Sequence, residues 1–312
     1  MERPPNSLAN SSRLVEEAAM KARRAQSPPC RLQSAIRLLN VNVMIEMDEN
    51  DIPPATPAAT LVLFRDVPEG PPELLMVERS KGMRFAGGAV VFPGGRVDED
   101  DHAIGARFAH LDVEEAAARI AAIRETIEES LIPVGLIGSV ADDWLAHART
   151  HLHAHKPFSE LLNTTSLDLD LDALVPFARW RPKHKEARVF DTRFYVARAP
   201  EDLPPPVVDE TENVRTFWAS ASHVIDLAAQ DKVKVIYPTM RNLERLALFG
   251  GYDEALAHLE TIELKMISPF MEVREDGNYL CIPGDQGYPV TAENLTAAVT
   301  AYDPKVTRTM TK

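Results

Sequence analysis

Apolar positions along the chain fall into two periods. Residues 59–65 and 73–79 are short, strongly apolar runs on either side of a Pro/Gly turn, the pattern of paired strands. Residues 90–92 read as a further strand. Behind the capping sequence Asp112-Val113-Glu114-Glu115, apolar residues recur at Ala116, Ile120, Ile123 and Ile127, which predicts a helix to about Ser130. A second helical stretch is expected over 141–162. Trp180, the alternating stretch 193–199 and residues 213–218 read as returning strands. Residues 222–230, 239–249 and 253–261 read as helices, and the last 50 residues as irregular with short strands. The order predicts an α/β fold. Residues 1–35 are expected to be a mobile extension with one short helix at 13–24, 36–265 the main domain, and 266–312 an irregular segment packed on it.

Composition narrows the function classes. The 312 residues are 45% apolar and 26% charged, ordinary for a globular protein. A net charge of −13 argues against nucleic acid or an anionic membrane as partner. Cys30 and Cys281 are the two cysteines and lie in no metal-ligand spacing, so a reducing compartment is expected. No run of 18 apolar residues exists. The first residues lack a leader pattern, and Thr-Met-Thr-Lys at the end is no peroxisomal address, so a cytoplasmic location is expected.

The candidate chemistry lies in residues 120–132. In Arg124-Glu125-x-x-Glu128-Glu129 the three glutamates share one helix face, and Arg124 is spaced to pair with Glu128 at i+4. Crowded carboxylates repel unless a cation sits among them, and oxygen ligands suit Mg2+ or Mn2+. Upstream, Phe92-Pro93-Gly94-Gly95 closes an apolar run, and glycines permit close approach of a phosphate. His147, His151 and His155 recur every four residues with His153 alongside. No cysteine or near carboxylate completes a metal set, so solvated or packed histidines are expected.

Strand, glycine turn and acidic helix in this order resemble the Nudix hydrolase signature. Gly95 stands for its first glycine. Asp101 takes the place of the glutamate five residues on, and Arg124, Glu125, Glu128, Glu129 and Ile132 match the acidic segment. The chain departs from the pattern in three further ways. Twenty-two residues rather than seven separate Asp101 from Arg124, so 102–112 is expected to be a loop beside the pocket, outside the core. Thr126 replaces an aliphatic residue. Leu131 replaces the glycine after the helix, which puts the usual left-handed cap in doubt and makes Pro133 and Gly135 candidate terminators.

Residues 75–95 resemble the element upstream of the signature in the family's coenzyme A diphosphatases. Leu75, Met76, Arg79, Ser80, Arg84, Gly88 and Phe92 to Gly95 fall in register, and Val77 departs. The long insertion and the segments 188–195, 237–246 and 282–285 are similar to the same branch.

The resemblance implies an α/β/α sandwich with a mixed sheet and extra C-terminal helices. It also implies a metal-dependent diphosphatase acting on coenzyme A or an acyl derivative. Under it, Glu125, Glu128 and Glu129 hold Mg2+ or Mn2+. Glu125, Arg124 and Glu212 are the catalytic candidates, Glu212 as the acidic residue that such enzymes often bring from a loop. Arg79, Arg84, Gly94 and Gly95 meet the substrate; two arginines at this spacing suit a bidentate phosphate clamp. Arg188 is read as structural and Arg193 is left open. ADP-ribose or a dinucleotide is the alternative substrate, and an inactive binding module the rival from another class. The partner expected is a small nucleoside diphosphate, with a homodimer left open.

Overall fold

Residues 54–83, 86–182, 189–200 and 203–295 are described by a computed structural model. The N-terminal extension, the apolar stretch 36–47, Cys30, Arg84 and Arg188 lie outside the described residues.

A mixed sheet carries the fold. Its central strand β1 (Thr56–Arg65) runs parallel to β8 (Phe190–Arg198), with nine residue pairs from Thr56 opposite Phe190 to Phe64 opposite Arg198. Beyond β8 come β7 (Val175–Trp180) and β10 (Met266–Ile267). On its other side β1 splits its pairing. Phe64 and Arg65 pair with β2 (Glu73–Arg79), while Ala58, Ala59 and Thr60 pair with the short β4 (Gly94–Arg96). β2 also pairs with β3 (Val90–Val91) and with β9 (Asn213–Ser220).

Strand alternation sends successive side chains to opposite faces, and both faces of this sheet are covered. Leu61 and Leu63 of β1, with Leu75, Tyr195 and Ala197, face one core. Val62, Phe64, Leu74, Met76, Phe194 and Val196 face the other. The first core is closed by α2 (Val113–Ser130), together with α1 (Glu99–Gly105), α3 (Asp142–His153) and α4 (Phe158–Asn163). The second is closed by α5 (Ala221–Ala229), α6 (Tyr237–Leu246) and α7 (Tyr252–Leu259). The result is the layered α/β/α sandwich expected. The C-terminal segment is more regular than expected: β11 (Phe270–Arg274), β12 (Gly277–Cys281) and β13 (Ala292–Asn294) form their own antiparallel sheet. A two-stranded ribbon, β5 (Leu136–Ile137) with β6 (Asp168–Leu169), completes the described strands.

Three expectations are corrected. Residues 102–112 are not a loop outside the core. They continue α1 and its turn, with Ile104 buried in the first core and Phe108 and Leu111 packed against it. The stretch 141–162 is two helices, because His155 takes a left-handed φ of 54° and Pro157 follows, and proline cannot donate to a continuing helix. The acidic helix ends at Ser130, before Pro133 and Gly135, on a left-handed Leu131 (φ 57°, ψ 25°) whose N–H bonds Ile127 O. A non-glycine residue there costs about 1–2 kcal/mol, and burial of the Leu131 side chain against the first core offsets it. Among the described residues no helix is long and apolar enough to cross a membrane.

Candidate active site

Five alanines of α2, at 116, 117, 118, 121 and 122, are buried. Small side chains let the helix lie close against its neighbours. Its N-terminus is capped as expected on one side: the Asp112 carboxylate accepts the N–H groups of Glu114 and Glu115. Glu115 turns instead to Arg119, which donates to it at 3.1 Å, and to Arg193 at 3.4 Å. Arg193 is therefore engaged near the start of α2, about 15 Å along the helix from Glu125 at 1.5 Å per residue.

At the other end of α2, Glu125 and Glu129 meet the turn that begins β4, and Glu128 lies near His153 of α3. Gly94 N–H donates to Glu129 Oε2 at 3.0 Å. A Cβ on Gly95 would overlap the Glu125 carboxylate, and one on Gly94 would overlap the Ala59 carbonyl. Glycine is required at both places by close approach: the turn is pressed between β1 and the carboxylates.

Arg124 does not pair with Glu128. Its guanidinium donates from Nε to Asp101 Oδ1 at 3.1 Å and from Nη2 to Asp101 Oδ2 at 2.9 Å, a bidentate pair. It also donates to Arg96 O and to Glu125 Oε1, both at 2.8 Å. Asp101 is fully buried and reaches back to accept the Asp98 N–H, capping α1. The residue just before the insertion thus grips the signature arginine. The geometry explains why i+4 spacing misled: a fork-shaped donor finds a better partner in a buried carboxylate than in a neighbour on its own helix.

The loop before β9 supplies the opposite wall. The Asp209 carboxylate accepts the N–H groups of Thr211, Glu212 and Asn213. Arg79 Nη2 donates to Glu212 Oε2 at 3.3 Å, and Arg79 Nη1 lies 3.8 Å from Glu129 Oε1. Arg149 of α3 braces this wall, donating to Glu128 O, Val208 O and Val207 O. Asn213 and Arg149 carry no motif, and sequence reasoning passed over both. His153 Nε2 lies 3.8 Å from Glu128 Oε1, while His151 meets Pro157 O at 2.9 Å, so the histidine series is dispersed.

Crowding shows in the proton affinities. Burial first, then the nearby Glu125, pushes Glu128 and Glu129 each up to about 8. Burial raises Glu125 too, against the lowering pull of Arg124. Among the described residues no three His, Cys, Asp or Glu side chains converge as a ready metal cage. The chemistry of the donors nevertheless fits a hard divalent cation: oxygen atoms only, on carboxylates whose mutual repulsion a cation would relieve.

No family model matches the chain. An acyl-coenzyme A diphosphatase of Xenopus laevis, NUDT19, is 23% identical over 277 residues, covering 70% of this chain and 71% of that protein. A Caenorhabditis elegans protein assigned to the nudix hydrolases is 26% identical over 226 residues, covering 69% of each. The crystal structure of a NUDIX hydrolase from Alicyclobacillus acidocaldarius matches with a TM-score of 0.58 and 27% identity, over 65% of this chain and 96% of that one.

Proposed function

We propose that this chain, a Nudix hydrolase resembling the coenzyme A diphosphatase branch, uses a divalent cation to cleave the diphosphate of coenzyme A or an acyl derivative. The observation that carries the reading is the meeting of Glu125 and Glu129 with the Gly94–Gly95 turn, beside Arg79 and Glu212. The coenzyme A assignment is supported by the register of residues 75–95 and by the activity named for the Xenopus relative.

Glu125, Glu128 and Glu129 would hold Mg2+ or Mn2+, which when bound polarises phosphate oxygens and acidifies a bound water. The chain's own residues do the rest. Gly94 N–H holds Glu129 in place. Arg124 fixes Glu125 while its own charge is secured: burial opposes it, but Glu125 and Asp101 raise its affinity for the proton. Arg79 faces the phosphates and offsets charge developing on them; Arg84 has the same proposed role. A carboxylate takes a proton from the attacking water as the bridging P–O bond breaks, giving phosphopantetheine and adenosine 3′,5′-bisphosphate. Glu212 suits that role better than Glu125, since it is more than half exposed while Glu125 is tied to Arg124 at 2.8 Å.

The test is an assay with Mg2+ or Mn2+ against coenzyme A, acetyl-coenzyme A, ADP-ribose and dinucleotides. Preference for coenzyme A is expected; good cleavage of ADP-ribose alone would move the substrate assignment, and no cleavage of any would favour a binding module. On coenzyme A, Arg79→Ala is expected to lower kcat/KM about ten- to hundred-fold, from loss of about 1.5–3 kcal/mol of charged hydrogen bonding. An unchanged kcat/KM would remove Arg79 from the phosphate site.

A stability prediction follows from the raised carboxylates. Glu128 and Glu129 bind protons more tightly folded than unfolded, so their favourable contribution is full below about pH 4.5 and is lost as pH rises through about 8. Metal-free protein is expected to melt at lower temperature at pH 8.5 than at pH 6. Mg2+ at about a hundred times its Kd should restore roughly 5–10 °C at pH 8.5, and clearly less at pH 5 where protons compete. Equal recovery at both pH values would show that the cation does not bind at these carboxylates.

A further inference from the structure

The wall opposite α2 holds a side chain that the proposed chemistry does not use. Asn213 is the first residue of β9 and stands opposite Arg79 where the β2–β9 register slips, between Glu78 and Arg79. Register slips re-aim side chains. Here the result is an amide buried to 1% exposure among charged groups. Its Nδ2 has two hydrogens, and both are spent on acids: one bond runs to Asp209 Oδ2 at 2.7 Å, the other to Glu129 Oε1 at 3.1 Å. Asp209 cannot turn away, because its Oδ1 accepts three successive backbone N–H groups. On its far side the Glu129 carboxylate is held by Gly94 N–H at Oε2. Each oxygen of Glu129 therefore has a fixed protein donor and keeps a lone pair.

We propose that Asn213, anchored by Asp209, is the positioning residue that orients the Glu129 carboxylate for cation binding. The inference rests on the metal-dependent reading above. A bridging amide suits the place because it gives two hydrogen bonds without adding charge. A lysine would compete with the cation, and an aspartate would repel both neighbours. Partners that orient a metal ligand commonly matter 10–100-fold for affinity.

The experiment measures Mn2+ binding to the full chain without substrate, by loss of the free-ion electron paramagnetic resonance signal, alongside melting in EDTA. For Asn213→Ala a fall of roughly 10–100-fold in Mn2+ affinity is expected, in protein that still melts cooperatively in EDTA, at a somewhat lower temperature because Asp209 loses a buried partner. Asn213→Asp keeps the size and reverses the hydrogen-bonding sense; its affinity should fall at least as far. Binding by folded Asn213→Ala within twofold of the parent would overturn the proposal, as would tighter binding by Asn213→Asp. If neither variant folds, Asn213 serves the fold and the proposal fails. Absence of Mn2+ binding by the unchanged protein would overturn the metal-dependent reading along with this one, so the two failures are distinguishable.

Discussion

Glu128→Gln is expected to fold normally and to lose turnover by about 10²–10³-fold at saturating Mg2+, the scale set by removing one preorganised charge-stabilising group. The structure makes this the cleanest of the three glutamates to test. Glu129 is hydrogen-bonded to Gly94 and Asn213, and Glu125 is ion-paired to Arg124. Either loss would also disturb neighbours. The Glu128 carboxylate has its nearest ion-pair contact with His153, at 3.8 Å. It is half-buried near like charges and pushed up to about 8, so neutralising it removes repulsion. Metal-free Glu128→Gln should therefore melt no lower than the parent at pH 8.5. Parent-like kcat would dismiss Glu128 as a cation ligand. Lost activity with a lowered melting temperature would mean that the carboxylate serves the fold.

Asp101→Asn should produce the largest loss of stability of any single change considered. The variant leaves Arg124 buried with one oxygen where it had a bidentate carboxylate. Breaking a buried pair from one side costs about 3–5 kcal/mol, on the order of 10 °C in melting temperature for a domain of this size. Activity should fall as well, because Arg124 holds Glu125. Thermal melting of Asp101→Asn within about 2 °C of the parent would refute this account of the pair.

Much of the site could be read locally. The glutamate face and the glycine turn are set by spacing within short segments. The α/β class was legible because strands and helices alternate in period along the chain, and the sandwich followed from the family resemblance. What escaped depends on partners distant in sequence. Arg124 meets Asp101 across 23 positions, and Asn213 meets Glu129 across 84. Arg149 reaches carbonyls 58 and 59 positions away, and backbone acceptors have no sequence signature. The core role of the insertion was hidden because the partners of Ile104, Phe108 and Leu111 come together only when the first core is assembled. The left-handed Leu131 could not be foreseen either, since tertiary packing overrides a local preference for glycine.

The parallel pairing of β1 with β8 sets the order in which the chain can be assembled as it is made. Thr56 lies opposite Phe190, 134 positions apart, so one edge of the central strand has no partner until β8 emerges from the ribosome. At about 5–20 residues per second that interval is roughly 7–27 s. Throughout it, an apolar ribbon with an open edge is exposed to solvent and to other nascent chains, the condition under which strands aggregate. Yield on overexpression should therefore respond to translation speed and chaperone supply more than to the stability of the finished fold.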